Sequence, residues 1–142
     1  NEGIDTVYST TNFRLGANVE QLVLVGSSDL QGYGNPENNG LYGNAGNNLL
    51  DGGGGVDTLT GGAGRDVFIF CAGDANGDVI MDFDRDEGDS IQFYGFGTVA
   101  DGATFTQVGD TNEWRIHSAI DGHEETIFIY TSFSMNSGYL FL

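Results

Sequence analysis

Apolar residues recur in the middle of this chain with a period of nine, neither the two of a simple strand nor the 3.6 of a helix. From Gly34 the sequence divides into four consecutive blocks: GNPENNGLY (34–42), GNAGNNLLD (43–51), GGGGVDTLT (52–60) and GGAGRDVFI (61–69). Each opens on glycine. The eighth position is Leu41, Leu50, Leu59 and Phe68, and the sixth is Asn39, Asn48, Asp57 and Asp66. One apolar residue in nine cannot make a helix face. The pattern predicts a glycine-rich turn over positions one to six, then a three-residue strand whose middle side chain enters a core. Upstream, Gly16–Leu24 (GANVEQLVL) and Val25–Tyr33 (VGSSDLQGY) have the same length without the turn chemistry, and predict further coils of one stack. Asp5–Ser9 and Asn12–Leu15 read as strands.

After Phe70 the period decays. Asp78–Phe83 alternates apolar and polar residues, an acidic loop follows at 84–89, and Ser90–Tyr94 resumes a strand. Ala103–Val108 and Trp114–Ala119 flank a turn at 109–113, and Thr126–Tyr130 follows an Asp-Gly turn, the signature of an antiparallel meander. Ser137–Leu142 ends in a strand-like run. With no long helical pattern, the class is all-β: stacked nonapeptide coils with an antiparallel C-terminal strand cap. One domain is expected over residues 1–142, divided into N-terminal coils (1–33), repeats (34–70), roll closure (71–95) and cap (96–142).

Charge changes this picture. The 142 residues include 21 Asp and Glu against four Arg and no Lys, a formal charge of −17. Nothing here could displace phosphate counterions, which excludes nucleic acid and argues against anionic membranes. Yet 39% of residues are hydrophobic, with ten Phe and six Tyr, too apolar for a disordered tail. The combination predicts a chain that folds once its acid is neutralised. The single Cys71 excludes an internal disulfide and a cysteine zinc site. No run approaches a transmembrane length and no N-terminal signal peptide is evident. The start at Asn1 reads as a mature fragment or excised module.

Stacked coils lie ~4.8 Å apart. Like charges at that spacing repel by about 0.9 kcal/mol in water and ~3.5 kcal/mol at an effective dielectric of 20. A hard cation between acidic turns reverses the sign. Calcium accepts six to eight carboxylate and carbonyl oxygens together, whereas magnesium wants a small octahedron and zinc wants nitrogen or sulfur. Blocks 52–60 and 61–69 match G-G-x-G-x-D-x-U-x, a calcium-binding nonapeptide. Asn39 and Asn48 offer a neutral oxygen where that motif has Asp, so their coils either bind calcium weakly or are held by asparagine hydrogen bonds.

These residues resemble the RTX (repeats-in-toxin) β-roll of calcium-dependent bacterial exoproteins. The resemblance implies a right-handed parallel β-roll with two nonapeptides per turn, and several Ca²⁺ ions between loops two repeats apart. It implies ligands from Gly52, Gly53, Gly54, Gly55 and Asp57, and from Gly61, Gly62, Ala63, Gly64 and Asp66. Facing loops would supply Gly34 and Asn39, then Gly43, Asn44, Ala45, Gly46 and Asn48, and the region after Phe70. Asp82 and Asp89 match the family's Asp-Phe…Asp spacing and would close the roll. More narrowly, Val19–Phe70 resembles the R-module of secreted mannuronan C5-epimerases. That likeness implies a non-catalytic, monomeric, extracellular accessory module, covalently linked to a catalytic module, exported by type I secretion machinery and assisting alginate binding. Contacts to a polyuronate would use Arg14, Arg65, Arg85 and Arg115, the fixed cations. The alternatives are a folding and type I export domain of an RTX protease or lipase, and a surface adhesin repeat.

No catalytic constellation competes. His123-Glu124-Glu125 lacks the second histidine of a zincin and follows a turn instead of lying on a helix. No G-x-S-x-G elbow is present. His117 reads as a strand-surface residue, Cys71 as an inert thiol, and Trp114 and the tyrosines as strand packing before sugar stacking.

Overall fold

The computed structural model describes residues 3–131 and 139–142. Its strands are β1 (Thr6–Ser9), β2 (Phe13–Arg14), β3 (Gln21–Leu24), β4 (Gln31–Tyr33), β5 (Gly40–Tyr42), β6 (Leu49–Asp51), β7 (Thr58–Thr60), β8 (Val67–Cys71), β9 (Val79–Ile80), β10 (Ser90–Tyr94), β11 (Thr104–Gln107), β12 (Glu113–His117), β13 (Glu124–Ile129) and β14 (Tyr139–Phe141). A 3₁₀ turn at Val99–Asp101 is the only helical element among the described residues.

Each nonapeptide contributes one strand, and successive strands enter opposite sheets. β1-β3-β5-β7-β9 stack in parallel on one side and β2-β4-β6-β8-β10 on the other. Partners are eighteen residues apart, as in Leu41↔Leu59 and Leu50↔Phe68. The eighth position of every repeat therefore points between the sheets. Leu22, Leu41, Leu59 and Ile80 meet Leu50, Phe68 and Ile91, all fully buried. A parallel β-roll thus follows from one apolar side chain per strand, because each coil borrows its core from the coils above and below.

The last coil would leave open edges at β9 and β10, a template for unwanted pairing. The C-terminal strands cover both. β13 adds to β9 in parallel (Ile129↔Ile80), and β12 and β11 continue antiparallel from it. β14 adds to β10 in parallel. The predicted antiparallel cap is therefore antiparallel only among β11, β12 and β13. It joins the roll through parallel pairs, because Ile129 prolongs the row of core side chains that Ile80 ends. Of the predicted strand Ser137–Leu142, Ser137 and Gly138 lie outside the described residues.

An aromatic plug fills the closing end. Phe93 lies within 4.8 Å of both Phe105 and Phe141, ring centre to ring centre, and Phe105 stacks on Trp114 at 4.8 Å. Trp114 is thus a core residue. Glu125, buried on β13, accepts the Gly73 N–H at 2.6 Å and the Ala75 N–H at 2.8 Å, which ties the meander to the 72–78 turn. His123 Nε2 meets the same carboxylate at 2.7 Å.

Candidate metal centre

The turns form two columns along the edges of the roll. One contains 34–39, 52–57 and 72–78; the other contains 43–48, 61–66 and 82–89. Sixth-position side chains hold each column together. Asp57 Oδ1 accepts the Asn39 N–H at 2.8 Å, and Asp78 Oδ1 accepts the Asp57 N–H at 2.8 Å. In the second column Asp66 Oδ1 accepts the Asn48 N–H at 2.7 Å, and Asp89 Oδ1 accepts the Asp66 N–H at 2.9 Å. Fifth positions bond in the opposite sense: the Val56 and Arg65 N–H groups donate to the Asn38 and Asn47 side-chain oxygens.

Glycine at position one is a packing requirement. A Cβ at Gly34 would overlap the Gly52 carbonyl oxygen, and one at Gly43 the Gly61 carbonyl oxygen. At Gly52 and Gly61 a Cβ would overlap the carboxylates of Asp57 and Asp66. Positions two and four divide the turns into two conformations. Gly53, Gly55, Gly62 and Gly64 are left-handed, with φ of 85°, 105°, 92° and 111°. Their counterparts Asn35, Glu37, Asn44 and Gly46 are not: Asn18 is the only described non-glycine at positive φ, and Gly46 is not among the glycines there. At position three Ala45 and Ala63 are exposed, whereas Gly54 is half-buried beside Pro36 and Asp74.

This difference decides the fate of the sixth-position oxygens. In the asparagine turns the second amide points at them: Asn35 N–H donates to Asn39 Oδ1 at 2.7 Å, and Asn44 N–H to Asn48 Oδ1 at 2.6 Å. The amide ends are also used, Asn39 Nδ2 on the Val19 carbonyl at 3.1 Å and Asn48 Nδ2 on Asn44 Oδ1 at 3.0 Å. In the aspartate turns the second amide is diverted, Gly53 N–H to Asp51 and Gly62 N–H to Asp82. Asp57 Oδ2 and Asp66 Oδ2 are left buried with no hydrogen-bond partner.

A buried, unpaired carboxylate oxygen is costly. Burial first, and neighbouring acids second, push Asp57 and Asp66 up to about 6 from an ordinary 3.8. Burial pushes Asp78 further, to about 8, with Asp57, Glu125 and Asp74 adding repulsion. Among the described residues, the ion pairs of Arg115, His117 and His123 go to Glu113, Glu124, Asp121 and Glu125, away from Asp57 and Asp66. The donors are all oxygen, in turns whose glycines let carbonyls crowd together, so these residues fit a hard divalent cation. Among the described residues no three acidic, His or Cys side chains converge. Backbone carbonyls would therefore supply the remaining ligands, with Asp57 and Asp66 as the fixed charges.

Asp82 and Asp89 accept backbone N–H groups from the 61–66 turn. Asp82 takes the Gly61 and Gly62 N–H groups on its two oxygens, both at 2.8 Å. Asp89 takes Asp66 and Asp84. Asp78 escaped the sequence reading, although Asp-Val-Ile repeats the acid-then-apolar step of Asp57, Asp66 and Asp89. The four arginines are dispersed. Arg14 lies over the Tyr33 ring at 4.3 Å, Arg115 pairs with Glu113 at 3.5 Å, and Arg65 and Arg85 belong to the 61–66 and 82–89 turns.

Residues 33–68, a quarter of the chain, match the RTX calcium-binding nonapeptide repeat family in four copies. Among solved structures the chain is similar to the AlgE6R3 subunit of the Azotobacter vinelandii mannuronan C5-epimerase, at 26% identity over 82% of this chain and 87% of that one, TM-score 0.38. It is similar to the AlgE6R2 subunit of the same enzyme at 24% identity over 98% and 92%, TM-score 0.44. No curated protein shows significant similarity to it.

Proposed function

We propose, from the premise that residues 33–68 are RTX calcium-binding repeats, that this chain is the non-catalytic R-module of a secreted alginate-modifying enzyme. In this role it folds around calcium outside the cell and helps a linked catalytic module hold its polymer. The observation that carries the calcium part is the pair of orphaned oxygens, Asp57 Oδ2 and Asp66 Oδ2, one in each column of turns. Bound calcium supplies the positive charge that a chain of 21 acids and four arginines lacks. The chain's own part is to hold those carboxylates in place through the Asn39 and Asn48 backbone N–H groups, which donate to the other oxygen, Oδ1, of each. The alginate part is supported by the run Val19–Phe70, which follows the R-module pattern of a calcium-poor coil, an asparagine-rich coil and then full repeats.

Calcium titration of the chelated protein, followed by calorimetry and circular dichroism, tests the first part. Saturable binding with a gain of sheet signal and melting temperature is expected. A chelated protein with unchanged melting overturns it. Titrating mannuronate and guluronate oligomers into the calcium-loaded protein, read by NMR shifts, tests the second. The charge of −17 and the dispersed arginines favour one other reading, a folding and type I export domain with no carbohydrate role. Absence of any shift at millimolar sugar would select it.

A further inference from the structure

We propose that His123 is a pH-sensitive latch that fastens the C-terminal sheet to the 72–78 turn of the roll. The latch does not depend on the alginate reading. It acts through Glu125, which is buried on β13 at 4% exposure. Glu125 Oε1 accepts the Gly73 N–H at 2.6 Å and Oε2 accepts the Ala75 N–H at 2.8 Å, so one carboxylate joins the meander to the turn. His123 Nε2 meets that same Oε1 at 2.7 Å, and Nδ1 meets Asp121 Oδ1 on the exposed side. The ring is also held on its face, by Phe96 at 5.8 Å between ring centres. The hairpin that carries it is fixed by backbone bonds. The His123 carbonyl accepts the Ser118 N–H at 3.0 Å, and the His123 N–H reaches Asp121 Oδ1 at 3.3 Å.

Each ring nitrogen thus faces a carboxylate oxygen. An imidazolium donates from both nitrogens, whereas a neutral imidazole donates from one and presents a lone pair at the other. The protonated ring satisfies Asp121 and Glu125 together. The neutral ring sets a lone pair against one of them and leaves Glu125 without the cation beside it. A buried carboxylate among other acids tolerates that loss poorly. Glu125 and Asp74 both repel charge on Asp78, in the 72–78 turn, and on Cys71, at the end of β8. From β12 comes His117, paired with Glu124 at 3.9 Å, and from the loop after β10 Phe96 brings no charge. Hydrogen bonds to Asp121 first and Glu125 second raise His123 above its ordinary 6.5, and His123 in turn holds Asp121 down at about 2. A base raised on folding stabilises the folded state below its unfolded value and loses that contribution as pH rises through the folded one. The latch is therefore shut below pH 6.5 and opens above it.

The test is an NMR titration of the whole chain in saturating calcium, from about pH 6 to about pH 9, following the His123 ring protons and the Gly73 and Ala75 amides. His123 should titrate above 6.5, and both amides should shift along the same curve. Their hydrogen exchange is compared at each pH with that of Val79 and Phe128, whose amides bond the Asp57 and Asp78 carbonyls. Above the His123 midpoint it should quicken roughly tenfold, the scale of one hydrogen bond to a charged group. His123→Gln should abolish both the amide curve and the change in exchange. Asp121→Asn, at a side chain 60% exposed, should lower the His123 midpoint and keep the fold. His117→Gln should alter neither. An amide curve that persists in His123→Gln would belong to Asp78 and overturn the latch. A His123 midpoint at or below 6.5, or amides at 73 and 75 that do not follow it, overturns it equally.

Discussion

Two adjacent parts of the same roll solve one problem by different chemistry. The 34–51 coils place asparagine at position six, and the 52–69 coils place aspartate there. Both positions are buried, and both are bridged to a neighbouring turn eighteen residues away by a backbone amide on a carboxylate. Asparagine carries its own donor and accepts from the second amide of its turn, so the turn closes on itself. Aspartate has no donor, and the left-handed glycines at positions two and four turn the second amide elsewhere. The first arrangement is complete as a protein. The second leaves Asp57 Oδ2 and Asp66 Oδ2 without a partner, the place the proposed cation would fill. Two differences together, asparagine against aspartate at position six and the left-handed glycines at positions two and four, therefore separate a turn that satisfies itself from one that leaves a carboxylate oxygen unpaired.

Calcium removal should show this with the largest effect. At a concentration a hundredfold above its dissociation constant, one ion adds ~2.7 kcal/mol to stability, and further ions add to that. Denaturation with and without chelator measures the loss. Hydrogen exchange localises it: amides at 53–57 and 62–66 should lose protection before those at 35–39 and 44–48. Uniform loss across both sets would erase the distinction.

Next in size is the double substitution Asp57→Asn with Asp66→Asn. Each change removes a buried charge and supplies a donor. The calcium-free protein should gain about 1–2 kcal/mol per site, the usual scale of an unsatisfied buried polar group. Most of the calcium-dependent gain should vanish at the same time. Thermal melts in chelator and in calcium, for both proteins, read the two effects separately. An unchanged calcium response would move the metal away from these residues.

The pH dependence follows from the raised carboxylates. Asp57 and Asp66 titrate near 6 when folded, and Asp78 near 8, against an ordinary 3.8. The folded, calcium-free chain thus binds more protons than the unfolded chain between those values. Its stability should be highest below about pH 4 and fall as pH rises through 6 and on to 8. Calcium competes with those protons, so the loaded protein should lose its advantage as pH falls below about 6. Melting curves at pH 4, 6 and 8 with and without calcium should cross. Parallel curves would mean that the metal and the protons use different groups.

Much of this was legible from the period of nine. Leu41, Leu50, Leu59 and Phe68 fixed the strands and the side that faces inward, and Asp57 and Asp66 marked the turns whose carboxylates are buried with an unpaired oxygen. Asp78 was missed because its turn is longer: it bonds Asp57 across 21 residues, and Asp89 bonds Asp66 across 23, where the repeats use 18. Counting in nines runs out of step there, although the acid-then-apolar step persists. The docking of β13 on β9 and the Glu125 clamp on Gly73 and Ala75 were not legible, since they depend on which strand edge is left open at the end of the stack. The use of the asparagine oxygens could be stated only as a choice, because backbone conformation at positions two and four decides it.

That last dependence gives the smallest and sharpest expected effect. If side chain alone made the site, Asn39→Asp would create a new calcium turn in the 34–42 coil. The backbone argues otherwise. Asn35 and Glu37 are not left-handed, and the Asn35 N–H already points at the position-six oxygen. The substitution should leave calcium stoichiometry unchanged in calorimetry. It should also cost about 1 kcal/mol through the lost bond from Asn39 Nδ2 to the Val19 carbonyl. Adding Asn35→Gly and Glu37→Gly removes the side-chain penalty on positive φ at both positions. The triple variant should then bind one more ion. A new ion in the single variant would show that the aspartate, and not the glycines, governs where calcium sits.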